Sequence, residues 1–158
     1  MFLQKSFQAK SPQTLVQFAH AILDKNLKRY SQSHPGHSFT GAELTKAIAM
    51  CWSRETSDDP RGWSDSNPAR GQCAVTALIV QDFFGGDLLR ANINLTPHYW
   101  NLLPNRCELD LTKGQFKEVA ISGTPIESTR QFVLSFSATR RNYKRLRKRV
   151  IAALHTRV

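Results

Sequence analysis

The stretch "NPARGQCAVTALIVQDFFGG", residues 67–86, decides how the rest of this chain is read. Asn67, Pro68 and Gly71 are loop and cap residues, and the run from Ala74 to Phe84 is mostly apolar until Gly85-Gly86 stops it. This predicts a helix bound for the core. It also places Cys73 in the first turn, where unpaired backbone N–H groups and the helix dipole favour a thiolate. A cysteine so placed is a nucleophile only if a base can reach it.

Downstream of the glycine stop the pattern changes to short strands. "DLLRANIN" (87–94), "HYWNLL" (98–103) and "CELDLT" (107–112) are separated by turn residues, including Pro104-Asn105. They predict an antiparallel meander, with a further strand near "RQFVLSF" (130–136). If residues 103–105 form the hairpin loop, His98 lies directly opposite Asp110, on one face and at cross-strand distance. A two-residue loop would put the pair on opposite faces. A carboxylate beside one imidazole nitrogen leaves the other free to face a thiol. Cys73, His98 and Asp110 are therefore the candidate nucleophile, base and orienting group.

Upstream, Leu15, Phe18, Ala19, Ile22, Leu23 and Leu27 form a helical stripe after Ser11-Pro12. "SQSHPGHS" breaks it, and Thr40 and Glu43 then have capping-box spacing for a second helix carrying Leu44, Ile48 and Cys51 or Trp52. "SRETSDDPRGWSDSNPARG" is a long polar loop, of a kind that often lines a site. Helices, then a sheet, then a tail helix define an α+β domain.

The chain has 158 residues, 41% hydrophobic and 22% charged, which suits one soluble domain with a single core. No apolar run approaches the roughly 20 residues of a membrane span. The start "MFLQKSFQAK" lacks a signal-peptide pattern. The three cysteines, Cys51, Cys73 and Cys107, cannot all pair and read as reduced thiols of a cytoplasmic protein. The formal charge of +10 points first to nucleic acid, but residues 139–158 hold eight Lys/Arg and no acid; removing those eight leaves +2 for the rest. Tyr143, Leu146, Val150 and Leu154 recur at helical spacing there, so a docked helix with a solvated basic face is the preferred reading over nucleic-acid contact.

Taken singly, each candidate has a plainer reading: Cys73 as a small buried residue, His98 as a structural histidine, Asp110 as a strand-end hydrogen-bonder. Their joint order strengthens the chemical reading. Zinc is not expected, because no CxxC or HxxxH spacing exists. Asp58, Asp59 and Asp65 do not match a calcium loop, and His34 and His37 read as solvated loop residues.

"NPARGQCAVTALIVQDFFGGDLLR", "HYWN" and "ELDLTKGQF" resemble the YunG-like proteins, a small uncharacterised bacterial family, over about residues 48–150. On that resemblance residues 1–40 are a helical extension, 41–120 the Cys-His-Asp core, and 121–158 a tail strand and basic helix of one domain. More remotely, a cysteine on a helix start, a histidine opening a strand and an aspartate on the next strand are similar to papain-like and transglutaminase-like enzymes. That similarity implies a papain-like core, with N-terminal helices on a small antiparallel sheet. It implies Cys73, His98 and Asp110 in catalytic roles, without metal or cofactor. Papain-like enzymes place an oxyanion-hole glutamine six residues before the cysteine. Here that position holds Asn67, and Gln72 is a second candidate. Trp63 is the expected cleft wall.

The expected function is therefore acyl transfer on a peptide or amide by a cysteine nucleophile. The alternative is a catalytically silent binding module using the same cleft. A nucleic-acid-associated role through the tail helix ranks below both. The sequence sets no oligomeric state.

Overall fold

The computed structural model describes residues 39–117 and 121–156. The predicted helix of residues 11–27 and the loop histidines His34 and His37 lie outside the described residues. Helix α1 (Gly41–Cys51) starts on the expected capping box. Thr40 Oγ1 accepts from Glu43 N–H at 3.2 Å, and Glu43 returns a carboxylate to Thr40 N–H at 2.6 Å. Its buried residues Leu44, Ala47 and Ile48 recur at helical spacing and form one stripe.

Helix α2 (Cys73–Phe84) is buried from Cys73 to Val80 and again at Phe83 and Phe84. A helix apolar on nearly all sides must be covered on more than one. Val75, Ile79, Val80, Phe83 and Phe84 pack with Leu44 and Ile48 of α1 and with Leu146 and Val150 of the tail. Cys73, Ala74, Ala77 and Leu78 pack instead with Leu88, Tyr99 and Val133. Asn101 adds a polar clamp, donating to Ala77 O at 2.9 Å. The helix ends as predicted at Gly85, and Gly86 (φ +81°) must lack a side chain, since a Cβ there would lie 2.2 Å from Leu102 O.

Four antiparallel strands follow, β1 (Asp87–Ile93), β2 (Thr96–Leu102), β3 (Glu108–Leu109) and β4 (Ile121–Ser128), in the order β3-β2-β1-β4. β1 and β2 are joined through Asn94 and Leu95, both at positive φ, in a two-residue hairpin with Ile93 opposite Thr96. The strand expected at 130–136 is corrected: helix α3 (Arg130–Ser135) occupies that stretch, and the last strand is β4. Thr129 caps α3 by accepting from Phe132 N–H at 3.1 Å, and Val133 is its buried residue. A short apolar run satisfies strand and helix periodicity alike, and here the cap decided.

Helix α4 (Ser137–His155) is the basic tail. It docks through Leu146 and Val150, both fully buried, while Arg141, Lys144 and Lys148 face solvent. Several of its other cations hold the fold. Arg149 pairs with Glu55, Arg145 donates to Glu55 O, and Arg147 reaches Asp82 at 3.2 Å. The molecule is thus an α+β fold of helices on a small antiparallel sheet. Among the described residues no helix is long and apolar enough to cross a membrane.

Candidate functional site

Cys73 opens α2 because the loop before it is held from within. Gly71 (φ +68°) admits no side chain there: a Cβ would lie 2.3 Å from Ser57 Oγ and 2.6 Å from Asp59 N. Ser57 Oγ donates to Arg70 O at 2.8 Å, and Asp58 N–H to Gly71 O at 2.8 Å. Gln72 is fully buried beneath this turn. Its carbonyl oxygen accepts from Thr56 Oγ1 at 2.9 Å and its amide donates to Ser53 O at 2.8 Å. The long polar loop is therefore folded inward on its own buried polar residues, and it delivers Cys73, 9% exposed, to the helix start.

His98 is fully buried on β2. Its Nε2 meets Asp110 Oδ2 at 2.7 Å, and the other carboxylate oxygen, Oδ1, accepts from Thr112 N–H at 2.9 Å and Thr112 Oγ1 at 3.1 Å. The ring stacks on Trp100 at 5.6 Å and takes the edge of Phe116 at 5.0 Å. Trp100 is itself tied to Glu108 through its indole N–H at 2.8 Å. The imidazole is thereby held by two ring contacts and through one of its nitrogens. Burial works to lower the His98 pKa, but hydrogen bonds from Asp110 and then Cys73, with the charges of both, outweigh it and raise it to about 9. The structure thus brings Cys73, His98 and Asp110 together.

The hairpin register differs from the direct opposition expected. Asn101 faces Leu109 and Leu102 faces Glu108. The turn extends to Cys107, whose carbonyl accepts from Leu103 N–H at 2.8 Å. Asp110 lies just past the end of β3, diagonal to His98 rather than opposite. The pairing is displaced by two residues, and a displacement of two preserves the face on which a side chain points.

The other expected site residues sit elsewhere. Gln72, with its amide committed at both ends, builds the loop instead of facing the sulfur. Asn67 Nδ2 donates to the backbone carbonyl of Gln115 at 3.0 Å. Trp63 closes its own loop, donating from Nε1 to Pro68 O at 3.0 Å, and no contact among the described residues ties it to Cys73 or His98.

Gln115 takes the position that sequence reasoning missed. It ends a 3-10 turn (Lys113–Gln115) that leads away from Asp110. Its Nε2 lies 3.4 Å from His98 Nδ1, the ring nitrogen not used by Asp110, and donates to Thr112 O at 3.1 Å. Its Oε1 accepts from Gly71 N–H at 3.3 Å. Gln115 follows Thr112, the residue that holds Asp110, by three positions in "ELDLTKGQF". That fixed spacing was the available signal.

The family described as YunG protein matches residues 40–155. An uncharacterised protein YunG of Bacillus subtilis (strain 168) is 36% identical over 70 residues, covering 44% of this chain and 57% of the relative. The matched region thus spans little more than half of that curated relative. No solved structure matches the chain.

Proposed function

The chain belongs to the YunG family, and from that premise we propose that it is a cysteine-dependent acyl-transfer enzyme with a papain-like or transglutaminase-like core. One observation carries the reading: the buried His98 imidazole, gripped by Asp110 at Nε2, interacts with the thiol of a helix-start cysteine. An imidazole with a pKa near 9 is cationic at neutral pH and places a positive charge beside the Cys73 sulfur.

In the proposed reaction Cys73 Sγ attacks a peptide, amide or ester carbonyl, forming an S–C bond as the carbonyl electron pair moves onto oxygen. The N–H groups in the first turn of α2 have no intrahelical acceptor and stabilise that charge. On collapse the C–N or C–O bond breaks, and the departing atom takes a proton from His98 Nδ1. Water or an amine then takes the acyl group from sulfur, its own proton passing to His98. Asp110, held by Thr112, keeps the ring oriented throughout.

The alternative is a catalytically silent binding module, and the low exposure of Cys73 (9%) and His98 (0%) is the observation on its side. An activated ester separates the two. The enzyme reading expects p-nitrophenyl acetate to release a burst of p-nitrophenolate and to leave an acetyl thioester on Cys73, detected by peptide mass mapping. Cys73→Ser and His98→Ala should lose the burst. A wild-type protein that folds normally but forms no thioester on Cys73 would establish the silent module instead.

A further inference from the structure

The amide of Gln115 has two hydrogens, and its neighbours among the described residues are Thr112 O and His98 Nδ1. The first goes to Thr112 O at 3.1 Å. The second has only His98 Nδ1 within reach, at 3.4 Å. A protonated imidazole cannot accept there, and with its pKa near 9 the ring carries that proton at neutral pH. The second N–H therefore has only a long contact to that nitrogen, one that the protonated ring gives up. Gln115 is half-buried, so water can occupy that hydrogen until a substrate oxygen displaces it.

Resting on the acyl-transfer reading above, we infer that the Gln115 side-chain amide is a catalytic residue, the donor that holds the carbonyl oxygen of the acyl substrate as it becomes an oxyanion. The geometry supports a preorganised group. Gly71 N–H fixes Oε1, Thr112 O fixes one hydrogen, and Asn67 fixes the backbone carbonyl, so the remaining hydrogen has one direction left. Asn67, the residue at the papain-like oxyanion position, then acts through Gln115 as a positioning residue. Gly71 joins the two parts of the site: its φ of +68° is open to glycine, and the same residue turns the chain into α2 and anchors the Gln115 amide.

Two reagents separate this role from a structural one. Iodoacetamide alkylates a thiolate by displacement at a saturated carbon and builds no oxyanion. p-Nitrophenyl acetate acylates it through one. Gln115→Glu keeps an acceptor for Gly71 N–H and removes the donor, and Gln115→Ala removes the whole group without adding charge. Both variants should keep Cys73 alkylation within about twofold of wild type and slow Cys73 acetylation by about 100-fold. Acetylation unchanged in both would overturn the assignment. So would an equal loss in both reactions, which would make Gln115 a support for His98 alone. A wild type whose Cys73 alkylates rapidly but never acetylates would remove the acyl-transfer reading, and this inference with it. The failure of Gln115 alone leaves a wild type that does acetylate.

Discussion

The two ends of α2 carry polar clusters of opposite character. At the C-terminal end, Asp82 is saturated. Arg130 reaches Oδ1 at 2.8 Å, Tyr143 O–H donates to Oδ2 at 2.7 Å, and Arg147 approaches the same oxygen at 3.2 Å. Arg130 also donates to Leu78 O at 3.1 Å and to Tyr143 Oη at 2.7 Å, so α2, α3 and α4 are knotted together. Every group there has a partner of matching charge, and the cluster is a strut. At the N-terminal end a carboxylate again starts the chain of contacts, but it holds an imidazole that lies beside a thiol. Beside that imidazole stands an amide whose second hydrogen has only a long contact, 3.4 Å from Nδ1. One helix thus ends in a completed network and begins in an incomplete one. Incompleteness, not polarity, marks the candidate site.

The largest expected effect comes from undoing the docking that holds the strut. Leu146→Ala with Val150→Ala should destabilise the protein by about 4 kcal/mol, because both residues are fully buried against α2 and each truncation leaves a cavity. Chemical denaturation measures it.

The next effect belongs to the incomplete end. The His98 pKa is raised from 6.5 to about 9, so protonating it stabilises the fold. That contribution is complete below pH 6.5 and is lost as pH rises through about 9, a decline on the order of 3 kcal/mol for this buried group. Asp110→Asn should flatten the decline, and an NMR titration of His98 should show its pKa falling from about 9 in that variant.

Asp82→Ala should then cost about 2 kcal/mol, since it strands partly buried donors on α3 and α4. Cys73→Ala at the other end should cost less, as it removes one sulfur. If the cysteine variant proves the more destabilising, the contrast between strut and site fails. Smallest of all, replacing the solvent-facing Arg141, Lys144 and Lys148 by Gln should shift stability by no more than about 0.5 kcal/mol. Loss of folding there would mean that the tail is held by charge rather than by its apolar face.

Features carried by neighbouring residues were readable in the sequence. The Thr40–Glu43 capping box, the Gly85 stop and the apolar stripe of the tail all depend on contacts within a turn or two. The candidate residues Cys73, His98 and Asp110 were legible because a strand alternates with period two, which forgave a register displaced by two. The two glutamines were not. Gln72 is spent on Thr56 and Ser53, 16 and 19 residues away, whereas Gln115 reaches back 17 residues to His98 and 44 to Gly71. Which amide reaches His98 is decided by how the polar loop folds under Cys73, and the spacing from Thr112 alone does not encode that. The stretch 130–136 shows the same limit at shorter range, since a cap at Thr129 outweighed an ambiguous apolar alternation.

The central proposal is that Cys73, at the N-terminal end of α2, is a nucleophile activated by His98. Pulse alkylation with iodoacetamide at about pH 6, followed by peptide mapping, tests it most directly. Cys107 is exposed, and Cys51 is half-buried, its pKa raised by burial against the partial relief of Arg149. Accessibility alone would therefore make Cys107 label first. The account predicts that Cys73, only 9% exposed, labels faster than either, and that His98→Ala abolishes the advantage. Labelling of Cys107 or Cys51 as fast as Cys73 in the folded wild type would contradict it.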